Sequence, residues 1–546
     1  MDGFKGAVAV ATITMGLLGF SSSASASSFC VPSFFDGCPD NGTNQALATL
    51  QLALNTNGAD GVADTVKVAP GTYSQATPFT ASGSDSLTVT GAGRDQTFLT
   101  STSNTGTQVV NVFSNARKIT MRDLSIVLPP SFPNSGNTGS ALLQSDDVFE
   151  RVDVISKNDG SNGIVGITQG GTFRDVNLRV EAGGSFGYAF GHPTTIDVCS
   201  QSPKKLIAEE VSIENADSGI TANCPMVSTS VRDLRIKSTD YAVVASDGNR
   251  MNIENALIES GDGAPVRALS GSNYGDTELS LSHATVVATG DETDPGILAS
   301  VYGTGDYDDV RVTVRDSVIS GFANPWEAKA PTGPTKGNTI VSISFSNYPA
   351  PGVSEGEAFV TEGDGIDHSA PQFVAAGDYR PAAGSPLIDA GQPTINSSEI
   401  DLAGNPRPVD GNGDGIAIAD IGAFEYQPPP ACATDPALCP KDTVKPKISK
   451  VKFAFKSGKG GALRMRISEA ARINVTLRPR SKKHKVVKLS KRVAKAGPVI
   501  FEFGKNRLKP GRYRLIIQAT DKSGNKSKLT RSVNAKRGPV SAGGGS

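Results

Sequence analysis

The phrase Arg122-Asp123-Leu124-Ser125-Ile126 returns in altered form through the middle of this chain, at intervals that belong to stacked solenoid repeats. Its copies include Arg151-Val152-Asp153-Val154, Arg174-Asp175-Val176-Asn177-Leu178, Arg232-Asp233-Leu234-Arg235-Ile236 and Arg315-Asp316-Ser317-Val318-Ile319. The anchors Leu124, Val152, Val176, Val211, Leu234, Ala256, Ala284 and Ser317 lie 28, 24, 35, 23, 22, 28 and 33 residues apart. Apolar and polar residues alternate after each Asp or Asn, which describes a short strand with one buried face. The unequal intervals describe loops of different length between stacked rungs. The pattern predicts an all-β fold, a parallel β-helix. Such a scaffold suits extended partners but names no reaction.

The chain begins with an apolar run, Ala7 to Phe20, too short to span a bilayer, and Ala24-Ser25-Ala26 follows as a small-residue cleavage pattern. Residues 1–26 are therefore read as a signal peptide and the protein as secreted. No later run reaches spanning length, and a sorting motif and terminal apolar tail are both missing, so retention at the cell surface is expected to be non-covalent, with no transmembrane anchor. Six cysteines in an exported chain are expected to pair. They fall into three near neighbours, Cys30–Cys38, Cys199–Cys224 and Cys432–Cys439.

The net charge of −1 conceals two opposite halves. From Lys441 to Ser546 there are 30 Lys and Arg against 4 Asp and Glu, a balance of +26, while the remaining 23 Lys and Arg face 50 Asp and Glu, a balance of −27. Asymmetry on that scale implies two domains with different partners.

Near the start, Leu47, Leu50 and Leu54 recur at helical spacing after a Thr43 N-cap, predicting a short helix that caps the solenoid. Next come Val66-Lys67-Val68-Ala69-Pro70-Gly71-Thr72-Tyr73 and Leu87-Thr88-Val89-Thr90. This arrangement resembles the entry region of secreted right-handed β-helix proteins of the pectate-lyase-like superfamily. Gly384-Ser385-Pro386-Leu387-Ile388-Asp389-Ala390-Gly391, Asp401, Arg407 and Asp420-Ile421-Gly422-Ala423-Phe424-Glu425-Tyr426 resemble the exit segment of the bacterial choice-of-anchor Q type. The resemblance implies a right-handed β-helix over 27–426. A Pro-rich linker stapled by a disulfide is expected over 427–443. Strict alternation in Val451/Phe453/Phe455, Leu463/Met465/Ile467 and Tyr513/Leu515/Ile517 predicts a basic β-sandwich over 444–536, before a disordered tail over 537–546. Lys509-Pro510-Gly511-Arg512-Tyr513 and Asp521-Lys522-Ser523-Gly524-Asn525 resemble the last strands of bacterial immunoglobulin-like modules.

The sharpest chemical motif is Asp410-Gly411-Asn412-Gly413-Asp414-Gly415, with the Ile416 carbonyl and Asp420 nearby. Alternating oxygen donors on a Gly-rich turn suit Ca²⁺, although the terminal Glu of an EF-hand loop is replaced by Ile421. A structural Ca²⁺ fastening the final cap is the expected cofactor, with a plain Asp/Asn/Gly turn as the alternative. The recurring Asp123, Asp175, Asp233 and Asp316, with Asn255, are read as bend residues that tolerate left-handed backbone, not as a catalytic row. Acidic loops at 291–294 and 306–309 are read as solvated charge, and Trp326 as a loop anchor in preference to a sugar platform. His192 and His368 sit among Gly, Pro and Ser loops and His283 lies in the repeated strand phrase, so each is read as a surface or packed histidine. No residue is assigned to catalysis. Arg480, Lys482, Lys483 and Lys485 form a concentrated basic loop. In an exported protein its partners are anionic cell-wall polymer, extracellular polysaccharide or extracellular DNA. The leading expectation is a polymer-binding envelope protein; the alternative is a polysaccharide lyase or glycoside hydrolase working in the solenoid groove.

Overall fold

The structure is a computed structural model. It describes residues 26–56, 61–81, 83–104, 108–111, 118–130, 139–142, 147–157, 162–164, 171–181, 186–190, 204–222, 227–290, 293–303, 305–333, 337–393, 399–429, 445–456, 460–481, 485–493, 497–504, 507–521 and 524–536. The chain divides into one compact unit up to Pro428 and a second from Pro429.

The first unit is a parallel β-helix, and the anchors read from sequence are its rungs. Leu124 lies beside Val152, Val152 beside Val176, and the series continues through Val211, Leu234, Ala256 and Ala284 in unbroken parallel register. Ser317 ends it by accepting a hydrogen bond from the Ala284 amide at 3.2 Å. Every one of these side chains is buried, inside a core that runs from Phe29 to Tyr348.

Each rung bends at the residue before its anchor. Asp123, Arg151, Asp175, Glu210, Asp233, Asn255, His283 and Asp316 all have φ between 48° and 58° or, for Asn255, 60°. That left-handed conformation turns one long strand, such as Ile119–Leu128, onto two faces of the solenoid without breaking it. Asp and Asn tolerate it because a short polar side chain bonds locally. Arg, Glu and His hold it here because both flanking strands are locked into the stack.

The helix predicted to begin after Thr43 instead occupies Leu50–Thr56. Residues Asn44–Ala46 are a strand paired with Ser28–Val31. The helix takes its N-cap bond from Thr49, whose Oγ1 accepts the Leu52 amide at 3.2 Å, while Asn41 caps the turn holding Thr43. Pairing of three residues with an existing sheet edge outweighed the helical spacing of Leu47. Leu50, Ala53 and Leu54 still join the solenoid core.

Residues 387–393 and 399–424 fold back over the outside of the second face. Ala423 and Phe424 cover Leu257 and Val287, while Leu387 and Ile421 cover Val318. The segment is tied down by polar bonds: the Ala423 amide donates to Thr285 Oγ1 at 2.9 Å, and Arg235 donates to the Leu402 carbonyl at 2.6 Å. Beneath it, buried Arg407 and Glu425 form an ion pair of 3.2 Å. Among the described residues of this unit, the outward side chains of the first face, immediately before the bends, are left unburied.

The second unit has two antiparallel sheets, of three and four strands, whose inward residues share one buried cluster containing Leu463, Ile473, Phe501 and Leu515.

Candidate polymer-binding face

Parallel register turns sequence alternation into straight columns on the open first face. One outward column runs Thr65, Thr88, Thr120, Val148, Thr172, Ile207, Ser230, Asn252, Ser280, Thr313, Ser342 and Thr361, each beside the next. All but Val148 and Ile207 offer a hydroxyl or amide, and none is buried. At strand spacing the column extends about 50 Å. Next to it runs a charged column, Lys67, Thr90, Arg122, Glu150, Arg174, Glu209, Arg232, Glu254. Its charges alternate, and neighbours bond across rungs: Arg174 to Glu209 at 2.7 Å and Arg232 to Glu254 at 3.0 Å. The face carries grooves between its columns. One is a cavity of about 710 Å³ at the N-terminal end around Lys67 and Arg122; another, of about 530 Å³, lies around Ser230, Asn252 and Ser280.

The bend residues make a third column, which the structure explains first as architecture. Arg151 grips Asp123 with two bonds of 2.6 and 3.0 Å, and this contact holds the Asp123 carboxyl below its usual range. Arg94 reaches Asp175 at 2.8 Å. Asn255 donates to Asp233. Where the folded-back segment crosses this column, a cavity of about 390 Å³ is lined by Glu210, Asp233, Asn255, His283, Ile400 and Arg407, together with the paired Glu209, Arg232 and Glu254. Burial raises the Asp233 carboxyl above its ordinary value. Burial, reinforced by Arg407 and Arg315, lowers His283 to about 3, so its ring is neutral. Glu210 is exposed one rung from Asp233. Two carboxyl groups on adjacent rungs thus stand beside one cavity.

The residues read as a calcium loop lie on an exposed turn, and their oxygens bond mainly to its own backbone. Asp410 accepts the Gly413 and Gly415 amides at 2.7 and 2.9 Å, Asn412 accepts Asp414, and Asp414 accepts Ile416. Asp389, not singled out from sequence, adds bonds to the Gly411 and Asn412 amides. Asp420 is placed elsewhere in function: it is fully buried and accepts the Asp389 and Tyr426 amides. Burial and the neighbouring Glu425 push its carboxyl upward. Among the described residues no three His, Cys, Asp or Glu groups gather around a common metal position.

Loop charges at 306–309 fasten neighbouring rungs. Asp308 accepts the Gly275 amide at 2.6 Å, and Asp309 bonds both Asn338 and Arg311. Trp326 is buried in the core beside Ile297, with no face open to a sugar. His368 bonds the Tyr348 carbonyl at 3.0 Å. Of the cysteines, Cys30 and Cys38 are disulfide-bonded; Cys199, Cys224, Cys432 and Cys439 lie outside the described residues, as do His192 and residues 1–25 and 430–444. Among the described residues no helix is long and apolar enough to cross a membrane.

In the second unit Arg480 and Lys485 are exposed, and Lys482 and Lys483 lie outside the described residues. Exposed arginines face each other across strands, Arg472 beside Arg492 and Arg478 beside Arg514. No ion pair joins described residues in this unit.

No family model matches the sequence, and no curated protein matches it either. Among solved structures, the enzymatically active domain of tailspike protein 2 from bacteriophage CBA120 aligns over 87% of this chain and 72% of its own length, at 8% identity and a TM-score of 0.21. The fold assignment rests on the strand register itself.

Proposed function

We propose that this is an exported β-helix protein that binds an extended, hydroxyl-rich polysaccharide along its open face, while the basic C-terminal unit attaches to anionic cell-surface polymer. The observation that carries the reading is the unburied Thr/Ser/Asn column running beside a charged column through successive rungs. A regular row of hydroxyls and amides at strand spacing offers repeated hydrogen bonds to a repeating polymer, and its flatness favours a chain over a compact ligand. This agrees with the choice-of-anchor Q resemblance and with an immunoglobulin-like reading of the basic unit. A second reading, glycoside hydrolysis, draws on Glu210 and Asp233 beside the cavity under the folded-back segment. One experiment separates them: the protein is applied to immobilised neutral and uronate-containing polysaccharides, scoring retention and released product together. Retention without new reducing ends supports binding, and turnover abolished by Asp233→Asn supports hydrolysis. Failure to retain any polysaccharide rejects the binding role.

A further inference from the structure

We infer that the N-terminal end of the open face is a pocket for a single anionic sugar residue, walled by the disulfide-stapled loop between Cys30 and Cys38. The inference deepens the polysaccharide reading and rests on it. Cys30 lies in register with Lys67, so the loop leaves the sheet beside the first columns of the face. Its tip returns to line the same cavity of about 710 Å³ as Lys67 and Arg122.

The loop is held in shape. Besides the disulfide, Phe35 and Cys38 exchange backbone hydrogen bonds of 3.0 and 2.8 Å. Gly37 lies under the Phe35 ring, where an added Cβ would stand 2.8 Å from a ring carbon. The half-buried ring is thereby presented to the cavity as a fixed apolar surface, suited to the C–H face of a pyranose.

Charge selects the kind of sugar. Further along the column, Arg174 and Arg232 each have a glutamate on the next rung. At the head this compensation stops. Arg122 donates its Nε to Thr90 at 3.0 Å, and the glutamate beside it, Glu150, is taken by Arg151. Lys67 is half-buried and has no ion-pair partner among the described residues. Asp36 lines the cavity from the exposed tip but bonds neither cation. Two half-buried cations in one cavity beside a stacking ring are complementary to a sugar bearing carboxylate or sulfate. The two anions share this chemistry, and the test distinguishes them.

The test titrates the full chain with trigalacturonate, with N-acetylglucosamine 6-sulfate and with neutral cellotriose, following heat at moderate salt. At least one anionic probe should saturate a single site, with cellotriose binding at least tenfold more weakly. The stronger anionic probe identifies carboxylate or sulfate as the preferred group. Lys67→Gln with Arg122→Gln should weaken that site tenfold or more. Phe35→Ala, which changes no charge, should weaken it several-fold, separating the pocket from diffuse attraction by the basic unit. Arg122→Lys should stay within about threefold of the parent, which separates lost charge from misfolding, and Ser354→Ala, exposed at the far end and outside the hydroxyl column, should leave the site intact. Equal binding of cellotriose, or an anionic site indifferent to both Phe35→Ala and the paired glutamines, overturns the pocket. Retention of long polysaccharide without probe binding also rejects it while leaving the face reading standing; probe binding without retention does the reverse.

Discussion

On the solenoid, Arg174 meets Glu209 and Arg232 meets Glu254 one rung apart, whereas across the strands of the C-terminal unit Arg472 meets Arg492 and Arg478 meets Arg514. Both regions alternate apolar and polar residues, so both bury a core by the same rule. They differ in what the outward charges do. Opposite charges in adjacent strands stabilise one register, whereas like charges set opposite one another cost up to about 1 kcal/mol a pair. A sheet that accepts that cost leaves these cations without a counter-charge opposite them. The solenoid sets its charges into internal order, and on the proposed reading the basic unit holds its charge for a partner.

The largest expected effect tests that contrast directly. A fragment beginning near Lys441 should fold alone and bind anionic polymer, with affinity falling ~10²–10³-fold between 50 and 200 mM salt as counterions are released. The isolated solenoid should show no comparable slope. Changing Arg480, Lys482, Lys483 and Lys485 together to Gln should weaken retention more than changing four dispersed polar residues. Salt-insensitive retention of the fragment would leave its unpaired arginines without a purpose.

Next in size is the core that both regions need. Leu234→Ala removes a fully buried anchor between Val211 and Ala256 and should cost about 2–5 kcal/mol, read by chemical denaturation of the solenoid. The basic unit's transition should not move. A shift in both transitions would mean that the two units do not unfold independently.

These anchors show what could be read in advance. Apolar residues following a recurring Asp or Arg marked the rungs, because a buried parallel stack demands a large side chain at the same place in every turn. The charge column was equally present in the sequence, two residues before each anchor, but becomes visible only once the rungs are aligned. The cavity beside Asp233 was not legible. Its Ile400 and Arg407 walls come from a segment more than 140 residues beyond Asp233, whose return path is set by outward-facing apolar residues on the second face, Leu257, Val287 and Val318, which it buries. The Thr43 cap failed for a related reason: a local helical signal yielded to pairing with a strand distant in sequence.

Calcium offers a third way to separate the regions. If the loop at Asp410, Asn412 and Asp414 takes Ca²⁺ in place of some of its backbone bonds, excess calcium should stabilise the solenoid by about 2–3 kcal/mol and leave the cationic unit unaffected. Scanning calorimetry with calcium and with chelator reads both transitions. Identical scans would assign the loop to turn formation alone.

Acid should also act on one region. His283 is neutral when folded, lowered to about 3 from an ordinary 6.5. Between those values the unfolded chain binds more protons, so this contribution to stability is complete above pH 6.5 and is lost as pH falls through the window. At pH 5 the loss is about 2 kcal/mol. Asp420 and Glu425, both raised by burial, act in the opposite direction: the folded state retains their protons, so they favour folding as pH falls. His283→Asn isolates the first effect, because Asn tolerates the left-handed backbone at this position. The variant should lose less stability than the parent between pH 7 and 5. An unchanged pH slope would show that His283 is not the group responsible.

The smallest effects carry the comparison in both directions. Arg232→Gln removes one member of a partly exposed pair and should cost the solenoid less than about 1 kcal/mol, since solvent screens the attraction. Arg492→Glu places an opposite charge beside Arg472 and should stabilise the basic unit by a similarly small amount while lowering its retention on anionic polymer. Each change makes one region resemble the other. Denaturation midpoints measured at low and moderate salt should move in opposite senses for the two variants, and both shifts should shrink as salt rises. If Arg492→Glu destabilised its unit, the facing arginines would already be serving the fold, and the division between charge for register and charge for a partner would be wrong.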